Sequence, residues 1–356
     1  MPDRLFLTYE ISSAAWKSLG GGVIKGRIIM NVKIQLSHTF EDIISLDNLL
    51  SAWEEFVIGK KNRKDVMEFQ LRLMDNLIAL HYDLATGNYR HGGYQAFNIR
   101  DPKPRDIHKA SVRDRLLHHA IYRILYPFFD RTFIADSYSC RNGKGTHKAV
   151  NRFKTFAYAA SRNNTHTCWV LKGDIRKFFA NIDHKILKKI LAEHITDKRI
   201  LALLDGIIDS FHASPGVGLP LGNLTSQLLV NIYMNRFDQF VKHKLKAEYY
   251  IRYADDFVIL SDDRKWLEHL IGQIGAYLSN ELKLTLHPDK LFIKTLNSGV
   301  DFLGWINFYD YKVLRTSTKK RMLRRIAENP KPEVICSYLG LIGHGNCYKL
   351  KKRIIN

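Results

Sequence analysis

The chain has 356 residues, 46% of them apolar and 25% charged, with 55 Lys and Arg against 35 Asp and Glu and a net charge of +20. That composition belongs to a folded protein and excludes a wholly disordered chain, while the positive surplus suits a polyanionic partner. No apolar run approaches the roughly 18 residues of a membrane helix, so no membrane partner is expected.

Residues 1–37 are weakly periodic and carry Gly20, Gly21, Gly22 and Gly26. They lack the apolar core and cleavage site of a secretory signal and read as a flexible or extended N-terminus. Met30 precedes the patterned sequence, which makes it the expected natural start and 1–29 an extension. From Glu41, Ile43, Leu46, Leu50, Trp53 and Val57 recur at helical spacing. A second helix spans 64–85, with Val66, Phe69, Leu73, Leu77, Leu80 and Leu84 on one face, and Gly87 and Asn88 stop it. Basic and aromatic residues interleave at Tyr89, Arg90, His91, Tyr94, Phe97 and Arg100, a mixture that neutralises phosphates and stacks on bases. Residues 97–108, broken by Pro102 and Pro104, predict a hairpin or loop. Helix returns over 112–129, and a loop at 141–145 precedes another helix. A buried strand is predicted at 167–171 and two short strands around a tight turn at 248–260. Helices at about 183–211 and 223–246 separate them. From Thr316 the chain is helical and basic, with a break at Pro330–Pro332. Strands separated by helices, with antiparallel hairpins, indicate an α+β fold. Cys140, Cys168, Cys336 and Cys347 form no CxxC or Cys/His cluster, which argues against disulfides or structural zinc and fits a reducing cytoplasm.

The chemistry concentrates in acids. Asp255 and Asp256 sit between two β-branched, aromatic-rich runs, 249–252 and 257–260. Charges in a half-buried hairpin need compensation, which a divalent cation supplies; two acids at an exposed turn is the plainer alternative. Asp174 ends a second apolar strand, Trp169 to Asp174. Three carboxylates meeting across a small sheet would hold two Mg²⁺ ions through hard oxygen ligands. Two such ions support in-line phosphoryl transfer.

Those segments resemble the reverse transcriptases. Asp174 lies in WVLKGDIRKFFANID, and Asp255 and Asp256 lie in YIRYADDFVIL. RDIHKASVRDRLLHHAI and DSYSCRNGKGTHKAV are similar to the family's two fingers segments. GLPLGNLTSQLLVNIYMNRFD is similar to the segment that places primer and nucleotide. LHPDKLFI and GVDFLGW resemble the closing palm and primer-grip segments. All stand in the family's order between about Arg105 and Gly304. The resemblance implies a right-hand polymerase with an RRM/ferredoxin-like palm: N-terminal helices and fingers at 38–165, palm at 166–310 with fingers elements at 185–215, and a short helical thumb at 311–356. It implies Asp174, Asp255 and Asp256 as catalytic metal ligands, with the backbone carbonyl of Ile175 completing a shell.

Other roles follow from the resemblance position by position. Phe179 is placed to exclude a ribose 2′-OH, the alternative being a core ring. Arg105 and Lys290 are placed toward the incoming triphosphate, beside Leu221 and Gly222. Arg113, Arg115, Gln227, Tyr253 and Gly304 are placed toward template and primer. For each arginine the alternative is a surface ion pair. Leu221-Gly222 and Ser226-Gln227 depart from the Gln-Gly and Ser-Pro of group II intron, retron and retroviral enzymes. That departure resembles the reverse transcriptases of diversity-generating retroelements, which copy a template-repeat RNA into cDNA with errors at adenine, for mutagenic retrohoming. Leucine at 221 either removes a polar geometric check on the nascent pair or is merely a different packing solution. The subclass implies a structured template-repeat RNA, DNA, dNTPs with Mg²⁺, a pentameric basic accessory protein, and the cytoplasm of a bacterial, phage or archaeal host. About fifty residues after Gly304 suit a short thumb without maturase or endonuclease extensions. Another bacterial reverse transcriptase, or an RNA-binding scaffold without catalysis, is the alternative.

Overall fold

A computed structural model describes residues 34–100 and 104–355; the expected start at Met30 and the extension 1–29 lie outside them. All elements below belong to one compact unit, Gln35–Asn356.

The chain opens with α1 (Phe40–Ile44), α2 (Leu46–Val57), α3 (Lys64–Gln70) and α4 (Leu73–Ala85). The single helix expected from Glu41 is two, because Ser45 ends one and caps the next, its Oγ accepting from the Asn48 amide at 3.2 Å. The restart changes the buried face. Leu49, Trp53, Phe56 and Val57 go inward, while Leu46 and Leu50, expected inside, are exposed. The predicted 64–85 helix breaks similarly at Leu71 and Arg72, with Leu71 in solvent.

Strands β1 (Gln95–Ile99) and β2 (Arg105–Lys109) form the expected hairpin, pairing Ile99 with Arg105 and Gln95 with Lys109. Helix α5 (Val112–Asp130) starts at the Ser111 cap and packs on α2. Helix α6 (Thr146–Ala160) follows the glycine loop. Helices α7 (His184–Ala192), α8 (Lys198–Ile208) and α9 (Leu224–Gln239) come next, the last running on into a single π-helical turn, Phe240–Lys244.

The centre is an antiparallel sheet ordered β4-β5-β3-β6, with β3 (Trp169–Asp174), β4 (Tyr249–Tyr253), β5 (Asp256–Ser261) and β6 (Phe292–Thr295). Strand side chains alternate between faces, and both faces here are covered. Leu171, Tyr250, Phe257 and Ile259 join the larger core, which also contains residues of α9 and α10 (Arg264–Leu282). Val170, Ile251, Val258 and Leu260 join a second core with α6 and the small sheet β7 (Val300–Phe302), β8 (Trp305–Asn307), β9 (Lys312–Leu314). Gly173 must be glycine, since a Cβ would stand 2.3 Å from the Phe257 ring. Helices α11 (Thr316–Glu328), α12 (Pro332–Ile342) and α13 (Tyr348–Ile355) close the chain, broken at Pro332 as expected. Among the described residues no helix is long and apolar enough to cross a membrane.

Candidate active site

Register brings the acids together. In β3 and β5, Asp174 lies directly opposite Asp256. The two-residue turn between β4 and β5 adds Asp255, whose carbonyl accepts from the Ile175 amide at 3.2 Å. The turn needs Ala254 at φ +54°, a left-handed conformation costly for a residue with a Cβ. A buried ion pair holds it. Arg252 and Asp238 are almost wholly inaccessible, and the guanidinium donates to both Asp238 oxygens at 2.7 and 2.8 Å and to the Ala254 carbonyl at 3.0 Å. Tyr250 donates to the same carboxylate at 2.7 Å. Burial opposes the Arg252 charge, but Asp238 overrides it and keeps the guanidinium protonated.

The acids strain one another electrostatically. Burial first, then the charges of Asp174 and Asp256, push the Asp255 carboxyl up to about 6. Burial also raises Asp256, with Lys172 pulling the other way. The compensating charges are lysines. Lys290 Nζ is 2.8 Å from Asp174 Oδ1, and Lys172 Nζ is 3.7 Å from Asp256 Oδ1. Among the described residues no three carboxylate, histidine or thiolate side chains already close around a common ion. The donor set still fits a hard divalent cation: the acids offer only oxygen, and like-charge crowding at Asp255 is what such a cation relieves.

The other residues anticipated from the sequence fall into three groups. Close to the acids lie Ile175 and Lys290; the turn Phe178–Asn181 follows β3, with Phe178 in the core and Phe179 half-buried, its ring edge-on to Phe178 at 5.5 Å. A second group surrounds the Leu221-Gly222 turn. Leu221 is half-buried and its carbonyl accepts from the His108 amide at 3.0 Å. Asn223 donates to the His108 carbonyl at 2.9 Å, so the turn is clamped to β2, the strand that Arg105 begins. Gly222 has φ +109°, and a Cβ would meet Ile107 at 2.8 Å. Gln227 is half-buried in the first turns of α9.

In the third group each residue already has protein partners, and Tyr253 lies opposite Asp256 across the β4–β5 hairpin. Arg113 pairs with Asp83 and Arg115 with Asp65, each at 2.6 Å. Lys109 joins Asp65 at the same distance. Both arginines therefore make the ion pairs weighed as their alternative. Tyr253 accepts from Thr146 Oγ1 at 3.3 Å. Gly304 has φ +86° and its carbonyl accepts from the Arg315 amide.

Sequence reasoning missed Lys172 and the Arg252–Asp238 pair. Lys172 was readable, since two residues before Asp174 on a strand is the same face. Asp238 was not, because it reaches Arg252 across 14 residues.

Comparison with known proteins places the sequence among relatives. The family model described as reverse transcriptase (RNA-dependent DNA polymerase) matches residues 100–307. Protein YkfC of Escherichia coli K12 is 26% identical over 304 residues, 74% of this chain and 77% of YkfC. The group II intron-encoded protein LtrA of Lactococcus lactis subsp. cremoris is 25% identical, over 62% of this chain but only 46% of LtrA. A putative COX1/OXI3 intron 2 protein of Saccharomyces cerevisiae is 23% identical, and the match spans 32% of that protein. A solved apo telomerase from Candida tropicalis covers 68% of this chain and 58% of its own at 12% identity and a TM-score of 0.44, too low to support any argument. With its model matched over more than half of the sequence, the chain belongs to the reverse transcriptase (RNA-dependent DNA polymerase) family.

Proposed function

We propose that this chain copies RNA into DNA by nucleotidyl transfer at Asp174, Asp255 and Asp256. The observation that carries the reading is their convergence, with Asp174 and Asp256 in register and Asp255 raised by burial and then by both of them. Two Mg²⁺ ions held by these carboxylates and the Ile175 carbonyl would stabilise the attacking and leaving oxygens. The chain's own residues do the rest. The central sheet, as palm, fixes the acids; Phe179 presents a ring where the sugar of an incoming dNTP would sit; and Arg105 and Lys290 offer cations for its triphosphate. The hairpin β1–β2 and α5–α6 act as fingers, α11–α13 as a thumb, and Gln227, Tyr253 and Gly304 line the template–primer path. The test is primer extension on an RNA template with each Asp replaced in turn; synthesis surviving all three replacements sinks the reading.

Metal and proton compete here. Asp255 titrates near 6 when folded, against about 3.9 for a free aspartate. The folded chain thus holds a proton that the unfolded chain has lost, and this group's contribution to stability falls as pH rises through that window. Without divalent ions, wild type should lose stability between pH 4.5 and 6.5 relative to Asp255→Asn, about 1–3 kcal/mol from this group. Added Mg²⁺ should restore more at pH 7.5 than at pH 5. Thermal unfolding of both proteins across pH checks this, and parallel profiles would refute it.

The finer reading is a diversity-generating retroelement enzyme, with a structured template-repeat RNA, mutagenic retrohoming and a pentameric basic accessory protein as partner. Leu221-Gly222 with Ser226-Gln227 supports it. At Leu221 the site offers an apolar side chain on a turn clamped to β2, and shape alone discriminates weakly. Leu221→Gln is expected to lower misincorporation at template adenines by about 10-fold, read by sequencing cDNA; an unchanged spectrum removes Leu221 as the cause. A group II intron-like reverse transcriptase is the second reading, favoured by the similarity to LtrA. A nearby pair of near-identical genomic repeats differing chiefly at adenines of one copy distinguishes the first reading from the second.

A further inference from the structure

Lys172 is a largely enclosed cation that the proposed chemistry does not use. Its side chain is 11% exposed, on the strand face that carries Asp174. A lysine this enclosed needs partners, and it has two. Nζ lies 3.7 Å from Asp256 Oδ1 and donates to the Asp301 carbonyl at 2.9 Å. Asp301 belongs to β7, outside the central sheet. Its carboxylate meets Arg315 at 3.0 Å, and Arg315 precedes the first turn of α11 and donates its amide to Gly304. The Asp301–Arg315 contact is incomplete, because Asp301 Oδ1 and Arg315 Nε are both buried without a partner. A continuous run of contacts therefore joins a candidate metal ligand to the base of the C-terminal helices.

We propose that Lys172 is the positioning residue for Asp256: anchored on Asp301, it fixes the carboxylate's place and sets how strongly the acid cluster draws a divalent cation. This rests on the metal-site reading. At 3.7 Å in a partly buried setting the ammonium offsets much of the Asp256 charge. Its removal leaves the cluster more negative but Asp256 less constrained. Binding and turnover should then move in opposite directions, a split that general loss of packing does not produce.

The test uses the full chain with Mn²⁺ as probe, its binding followed by electron paramagnetic resonance and its turnover by primer extension. Lys172→Met is expected to bind Mn²⁺ about 3–10-fold more tightly while turnover per folded molecule falls about 10-fold. Lys172→Arg, which keeps the charge, should return affinity to within about 2-fold of wild type. Should Lys172→Met not fold, Arg315→Gln breaks the far end of the link at a more exposed position. A shift of about 3-fold or more in its Mn²⁺ affinity at an unchanged unfolding midpoint supports the proposal, and a smaller one overturns it. Folded Lys172→Met with wild-type affinity and turnover also overturns it. Failure of the reading beneath looks different: wild type itself would show no Mn²⁺ binding that Asp255→Asn abolishes, and the proposal would fall with it.

Discussion

Asp174→Asn is expected to reduce RNA-templated DNA synthesis by about 10³-fold or more while the protein stays folded. The amide matches the carboxylate in shape, so the buried end of β3 keeps its packing. What is lost is a hard anionic donor directly opposite Asp256. Stability should not suffer in metal-free buffer, because one of three mutually repelling charges has gone. Lys290, left without its carboxylate, is 39% exposed and can turn to water. The expected pattern is therefore an unchanged or raised unfolding midpoint, absent activity, and little or no further stabilisation by Mg²⁺. Primer extension and thermal unfolding on the same preparation check it. Synthesis within tenfold of wild type would show that Asp174 is not a ligand. Loss of the fold would show that its role is structural.

Much of this site was legible because the signals were local. The turn at Ala254, the strand ending in Asp174 and the hairpin interrupted by Pro102 and Pro104 are each written within a dozen residues. The apolar run ending in Asp174 also foretold a buried strand. What escaped was long-range or depended on restarts. Ser45 resets the helical phase and turns Leu46 and Leu50 outward, and a smooth 3.6-residue pattern cannot show that without the cap. The sequence points Arg113 and Arg115 toward nucleic acid, but acids 30 and 50 residues away pair with them. Composition could not show this, because a net charge of +20 does not reveal which cations already have partners. Resemblance to a family likewise transferred positions but said nothing of Lys172 or Asp238, whose importance lies in contacts between separate elements, sheet to sheet for Lys172 and helix to strand for Asp238.

The Arg252–Asp238 pair should be the most expensive polar contact in the described structure to break. Arg252→Met leaves Asp238 wholly buried, with one tyrosine hydroxyl in place of a guanidinium, and an uncompensated buried charge of this kind costs about 3–5 kcal/mol. The loss should reach the acids as well. Arg252 also donates to the Ala254 carbonyl, so the left-handed turn loses its anchor and Asp255 its fixed place; activity per folded molecule should fall too. Asp238→Leu alone strands the guanidinium and should cost a similar amount. The double replacement Arg252→Met with Asp238→Leu removes both charges together and should be clearly less destabilised than the sum of the singles, since most of each single loss is the penalty on the abandoned partner. Denaturant unfolding of the four proteins closes that cycle. Additive losses would mean that the pair is not the keystone of the hairpin, and that the packing of Tyr250 and Phe257 beneath it holds the acids in place.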